Sequence, residues 1–146
     1  MPAKYTPPEF VTNEVSATKY RRWLSRKAQA HCRRDRDRGN ETATKAAYKE
    51  AIHAAVIKSA GRDAYTGEEL HWCLIGQYDN ELSKAGRREV KARFAQLPTI
   101  DHVGDDSGSV AFLICGWAVN DAKNDLPLER FIDLCQKVIN HSRREA

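Results

Sequence analysis

Leu97-Pro98-Thr99-Ile100-Asp101-His102-Val103 is followed by Gly104-Asp105-Asp106-Ser107-Gly108-Ser109, by Val110-Ala111-Phe112-Leu113-Ile114-Cys115, and by Trp117-Ala118-Val119-Asn120-Asp121-Ala122-Lys123-Asn124. The first piece reads as a short strand led in by proline, and the second is a turn by composition. The third is a second strand, and the fourth opens a helix. Pro127 suits the first turn of that helix's continuation. There Leu128, Phe131, Ile132, Leu134, Cys135, Val138 and Ile139 recur at helical spacing out to about His141.

Upstream the pattern changes. Residues 1–10 carry three of the five prolines and read as an irregular arm. Thr12 or Asn13 is placed to cap a helix over about 14–38, in which Tyr20, Trp23, Leu24 and Ala28 form an apolar stripe. Gly39-Asn40 stops it. Alanine-rich residues predict a second helix over about 41–59, with Gly61 at its end. Residues 62–70 form a turn around Thr66-Gly67, residues 70–75 alternate like a strand, and residues 79–94 read as an irregular or short-helical insertion. The expected class is therefore α+β: an arm and two basic helices over 1–62, then a strand–turn–strand–helix unit over 63–146 packed on them.

The chain has 146 residues, 41% hydrophobic and 30% charged, which is the composition of a soluble globule large enough to bury a core. No apolar run approaches the roughly 18 residues of a membrane span, and the N-terminal residues lack a secretory signal's apolar core. The expected compartment is the cytoplasm. Charge is uneven: residues 1–62 hold 14 Lys/Arg against 6 Asp/Glu, and residues 63–146 hold 10 against 14. A basic front on a mildly acidic back suits a polyanionic partner. Arg21, Arg22, Arg26, Arg33 and Arg34 are the phosphate-contact candidates, although signs alternate over Arg34-Asp35-Arg36-Asp37-Arg38, which suggests local ion pairing. Cys32, Cys73, Cys115 and Cys135 are scattered without a Cys-x-x-Cys pair, and read as small buried hydrophobes.

The chemistry concentrates in the strand–turn–strand–helix unit. Asp101-His102 ends the first strand, Asn120 lies at the start of the helix, and Lys123 and Asn124 follow one turn on. Asp and Asn offer hard oxygen donors suited to Mg²⁺ or Mn²⁺, and a histidine beside such an ion is a good general base near neutral pH. Successive strand residues point to opposite sides, so Asp101 and His102 flank one site only where the strand frays into its loop.

At these residues the chain resembles the HNH endonuclease family, the ββα-metal nucleases. The resemblance rests on Tyr65-Thr66-Gly67-Glu68-Glu69-Leu70, Ile100-Asp101-His102-Val103, and Phe112-Leu113-Ile114-Cys115 leading to Asn120-Asp121-Ala122-Lys123. A helix beginning Glu129-Arg130-Phe131-Ile132 completes it, and it spans about residues 65–141. It implies a ββα-metal motif and a DNA endonuclease of bacterial or phage type, with DNA ahead of RNA as substrate and no membrane partner. It implies Asp101 and Asn120 as ligands of a divalent ion, His102 as the base, and Lys123 and Asn124 in support. Oligomeric state stays open, since many nucleases cut two strands as dimers.

Two departures stand out. The family's central Asn, which pins the loop orienting the histidine, is replaced at the comparable positions by Ser109 and Val110, so Asp105, Asp106 or Ser109 would have to supply that tether. The paired Cys-x-x-Cys knuckle is absent. Both leave a second reading standing, a catalytically inactive nucleic-acid-binding protein on the same fold.

Overall fold

The structure, a computed structural model, describes residues 4–77, 87–103 and 111–145. A short helix α1 (Glu9–Thr12) leads into α2 (Ala17–Asp37) and α3 (Lys45–Ser59). A 3-10 turn over Trp72–Leu74 and helix α4 (Arg87–Arg93) precede the strands β1 (Pro98–His102) and β2 (Phe112–Gly116). Helices α5 (Trp117–Lys123) and α6 (Leu128–Glu145) close the chain. The fold is mixed α and β around one two-stranded antiparallel sheet, in which Pro98 pairs with Gly116 and His102 with Phe112. Among the described residues, no helix is long and apolar enough to cross a membrane.

Side-chain capping starts α2 and α3 later than sequence periodicity predicts. The Ser16 hydroxyl accepts the Lys19 N–H at 3.1 Å, so α2 starts at Ala17, while the expected cap Thr12 ends the separate helix α1. Thr44 does the same for α3, accepting the Ala47 N–H at 3.2 Å, and the 41–44 stretch stays outside the helix. The left-handed cap of α3 is Ala60, at φ 53°, rather than Gly61. Gly61 follows at φ 85°, where a Cβ would also press on the Phe10 ring at 3.2 Å.

Helices α2 and α3 pack on each other, and α3 covers one face of the sheet. Tyr20, Trp23 and Leu24 from α2 join Tyr48, Ile52 and Val56 from α3, and Ile100, Phe112 and Ile114 from the strands, in one buried cluster. Each such side chain contributes roughly 1.5–3 kcal/mol. Leu70, Trp72 and Ile75 complete that core, so it draws on residues from both sides of position 62. The strand expected over 70–75 is instead the 3-10 turn. Leu70, Trp72, Leu74 and Ile75 are all buried, which a strand's period of two cannot arrange, and the Leu74 and Ile75 N–H groups bond back to His71 and Trp72.

The last helix forms where its periodicity places it, but it stands clear of the core. Helix α6 has no buried residue, and Leu128, Ile132, Leu134, Val138 and Ile139 are 41–61% exposed. A sheet of two strands has two faces. With α3 across one and α5 against the other, neither is left for a third helix. The chain leaves α5 at Asn124, which has φ 53°, and α6 starts after Pro127, away from the core.

Candidate functional site

Strand alternation governs the site. Asp101 and His102 are successive residues of β1, and their side chains turn to opposite sides. Asp101 faces α5 and the 63–67 turn. Its Oδ2 lies 3.0 Å from Lys123 Nζ and accepts a hydrogen bond from the Tyr65 hydroxyl. Asp101 and Lys123 side chains are only 10% and 6% exposed, so this is a buried ion pair. Both contacts fall on Oδ2, and no described residue bonds Oδ1. Burial and the neighbouring carboxylate hold the Tyr65 phenol protonated well above its ordinary range.

His102 faces α2 instead. Its Nε2 lies 3.5 Å from Asp35 Oδ2, and its ring sits 5.3 Å from that of Phe112, its strand partner. Asp35 is 8% exposed and also accepts the Tyr48 hydroxyl, which places the imidazole against a carboxylate held from α3. Nδ1 of His102 has no bond to any described residue. Nε2 is therefore the ring nitrogen turned toward the carboxylate.

The two sides meet at the strand's end. A cavity of about 790 Å³ is lined by Asp101, His102, Asn120, Lys123 and Asn124. Arg34, Arg38 and His31 of the α2 segment line it as well. Asn120 reaches it because β2 runs into α5 without a linker. Gly116 serves as N-cap, and its N–H is held at 2.6 Å by the buried Asp63 carboxylate. A Cβ on Gly116 would meet the Ala95 carbonyl oxygen at 2.7 Å, so the junction requires glycine. Asp63 also accepts the Tyr65 and Thr66 N–H groups, fixing the turn that presents Tyr65.

Several expected residues take other roles. Lys123 is paired with Asp101 in the interior, and it also lines the cavity. Asn124 is not a continuation of the helical face carrying Asn120. It is the cap residue past the end of α5, its N–H closing on the Asn120 carbonyl at 2.9 Å, though it still lines the cavity. Asp105, Asp106 and Ser109, the tether candidates, lie outside the described residues, as do the whole 104–109 turn and residues 78–86 of the insertion. The five arginines divide: Arg34 lines the cavity, Arg21, Arg22 and Arg26 line a concavity near Gly76, and Arg33 lies on another face beside Cys32 and Arg36. Cys32 and Cys115 are buried, the latter with its thiol pushed up to about 12 mainly by burial, whereas Cys73 and Cys135 are exposed.

Sequence reading gave no site role to Asp35, Tyr65, Arg38 or His31. Asp35 had a usable signal, because it continues the buried spacing of Leu24, Ala28, His31 and Cys32 on α2. A carboxylate on an apolar stripe calls for a partner. His31 packs edge-on to Phe112 at 5.5 Å, and its imidazole is pushed down to about 4, first by burial and then by Arg34 and Lys27.

No family model, curated protein or solved structure matches this chain. Among the described residues, no group of three or more His, Cys, Asp and Glu forms a cage for a metal ion. The Asp101–Asn120 pair is a different donor set, one carboxylate and one carboxamide. Carboxylate and carboxamide oxygens are hard donors, the type that Mg²⁺ and Mn²⁺ take alongside phosphate and water.

Two outcomes follow. Lys123→Met leaves a buried, uncompensated carboxylate and lowers unfolding stability by about 3–5 kcal/mol in urea titrations. Adding Asp101→Asn recovers most of that loss, since the carboxamide still accepts from Tyr65. Separately, His31 stays neutral in the fold down to about pH 4, while in the unfolded chain it takes its proton near its ordinary value of about 6.5. Its contribution is fully present above about pH 6.5 and is lost as pH falls toward 4. Wild type therefore loses about 3 kcal/mol more than His31→Gln across that window.

Proposed function

We propose that this protein is a metal-dependent endonuclease of the ββα-metal (HNH) type, hydrolysing phosphodiester bonds in DNA. One observation carries the reading: Asp101, His102 and Asn120 line a single cavity together with Arg34 and Arg38. The antiparallel pair β1–β2 and the helix α5 that follows it without a linker would be the ββα unit.

Each side chain has a task in that reading. His102, oriented through Nε2 by Asp35, takes the proton of the attacking water at Nδ1. Tyr65 and Lys123 clamp one oxygen of Asp101, which leaves Oδ1 and the Asn120 amide oxygen to hold Mg²⁺ or Mn²⁺. When bound, the ion supplies charge stabilisation at the leaving 3′ oxygen. Arg34 and Arg38 offer guanidinium donors to the phosphate beside the scissile one. Asp35 takes over the orienting task for which the family's central Asn is missing.

A second reading, a catalytically inactive nucleic-acid-binding protein on the same scaffold, draws on a specific observation. The Asp101 carboxylate already has its charge balanced by Lys123, which weakens its pull on a metal ion. Plasmid nicking in Mg²⁺ or Mn²⁺ separates the two. The nuclease reading expects metal-dependent nicking that falls by about 10²-fold or more in His102→Ala. Equal nicking by both preparations, or salt-sensitive binding without cleavage under either ion, overturns it.

A further inference from the structure

Three neighbouring concavities along α2 share lining residues. The one holding Arg22 and Arg26 shares Arg26 and Gly76 with a neighbour that adds Lys27, and that neighbour shares Trp117 and Asn120 with the site cavity, where Arg34 and Arg38 stand. Among the described residues, no carboxylate lies within ion-pair distance of Arg26, Lys27, Arg34 or Arg38. Asp35, which follows Arg34 directly in the chain, is engaged by Tyr48 and His102 instead. The alternation of sign over residues 34–38 therefore does not neutralise this face. Arg33, Arg36 and Asp37 sit together on a different one.

We propose that Arg26, Lys27, Arg34 and Arg38 form a track for the sugar-phosphate backbone of a nucleic acid, leading one strand along α2 into the cavity beside His102. Twelve residues separate Arg26 from Arg38, about 18 Å of helix at about 1.5 Å per residue. That length matches about five phosphate intervals at about 3.4 Å of axial rise per strand. Guanidinium groups present planar donor forks to phosphate oxygens and stay charged at any working pH. Lys27 is half-buried, and its ammonium is held below its usual range by burial and then by Arg26 and Arg34. Such a crowding of cations is relieved by an incoming anion. The track deepens the nuclease reading by saying how substrate approaches, but binding along it does not require cleavage.

Fluorescence anisotropy on the full chain in EDTA tests it, with duplex DNA, single-stranded DNA and RNA of one sequence as separate arms and salt titrated in each. The arm bound most tightly identifies the source of the backbone. Arg26→Gln with Arg34→Gln is expected to weaken binding at least about tenfold at 0.1 M salt and to reduce the log–log salt slope by about 2 on a duplex. Arg33→Gln with Arg36→Gln is expected to change affinity less than about twofold, because these side chains are off the track. Equal losses in both double variants mean diffuse charge and overturn the proposal, as does an absence of binding in all three arms at low salt. If the track variants lose binding while the wild type never cleaves, the nuclease reading falls and the track stands.

Discussion

The buried ion pair between Asp101 on β1 and Lys123 on α5 is the contact on which the site depends. It joins the end of one strand to the last residue of the helix that follows the other strand. Tyr65, held in its turn by Asp63, closes the same carboxylate from a third segment. Asp63 then ties that turn to Gly116 at the head of α5. A charge this deep in the fold is tolerated only with its partners in place, so the geometry is over-determined. Because strand residues alternate, fixing Asp101 toward α5 fixes His102 toward α2, where Asp35 and Tyr48 receive it.

The order of the elements that hold these contacts is legible in the sequence. The strand–turn–strand–helix order follows from Pro98, from the apolar run ending in Cys115, and from the helix-forming stretch after Gly116, and β1, β2 and α5 fall within a residue or two of those expectations. Boundaries set by side-chain caps were harder, because Thr12, Asn13, Ser16 and Thr44 are all competent caps and only tertiary packing selects among them. The 70–75 stretch misled because Leu70, Trp72 and Leu74 alternate on paper, while the core also needed Ile75. The apolar stripe of α6 marked the helix, but periodicity reports an amphipathic face and not what covers it, and that face is exposed here.

The site residues divide in the same way. Asp101, His102 and Asn120 stood out as chemistry-bearing types at suggestive spacing, and one cavity holds all three. Their supports did not stand out, because Asp35 and Tyr65 come from segments 67 and 36 residues away and matter only through long-range contacts. Lys123 was legible as a residue of interest but not as an interior counter-charge. The acidic members of the charge run over 33–38 looked like a neutralising pattern along the chain. In three dimensions Asp35 turns inward to His102 and Tyr48, and Arg34 and Arg38 are left facing the cavity.

The central claim is that a divalent ion and His102 share one cavity, with Asp101 and Asn120 as the protein's oxygen donors. Titrating Mn²⁺ into ¹⁵N-labelled protein while following paramagnetic broadening tests this most directly. The account predicts that the Asn120 side-chain amide and the His102 ring nitrogens broaden first, and that Asp101→Asn weakens the effect by about tenfold or more. Broadening centred on another face, or unchanged by Asp101→Asn, would contradict it.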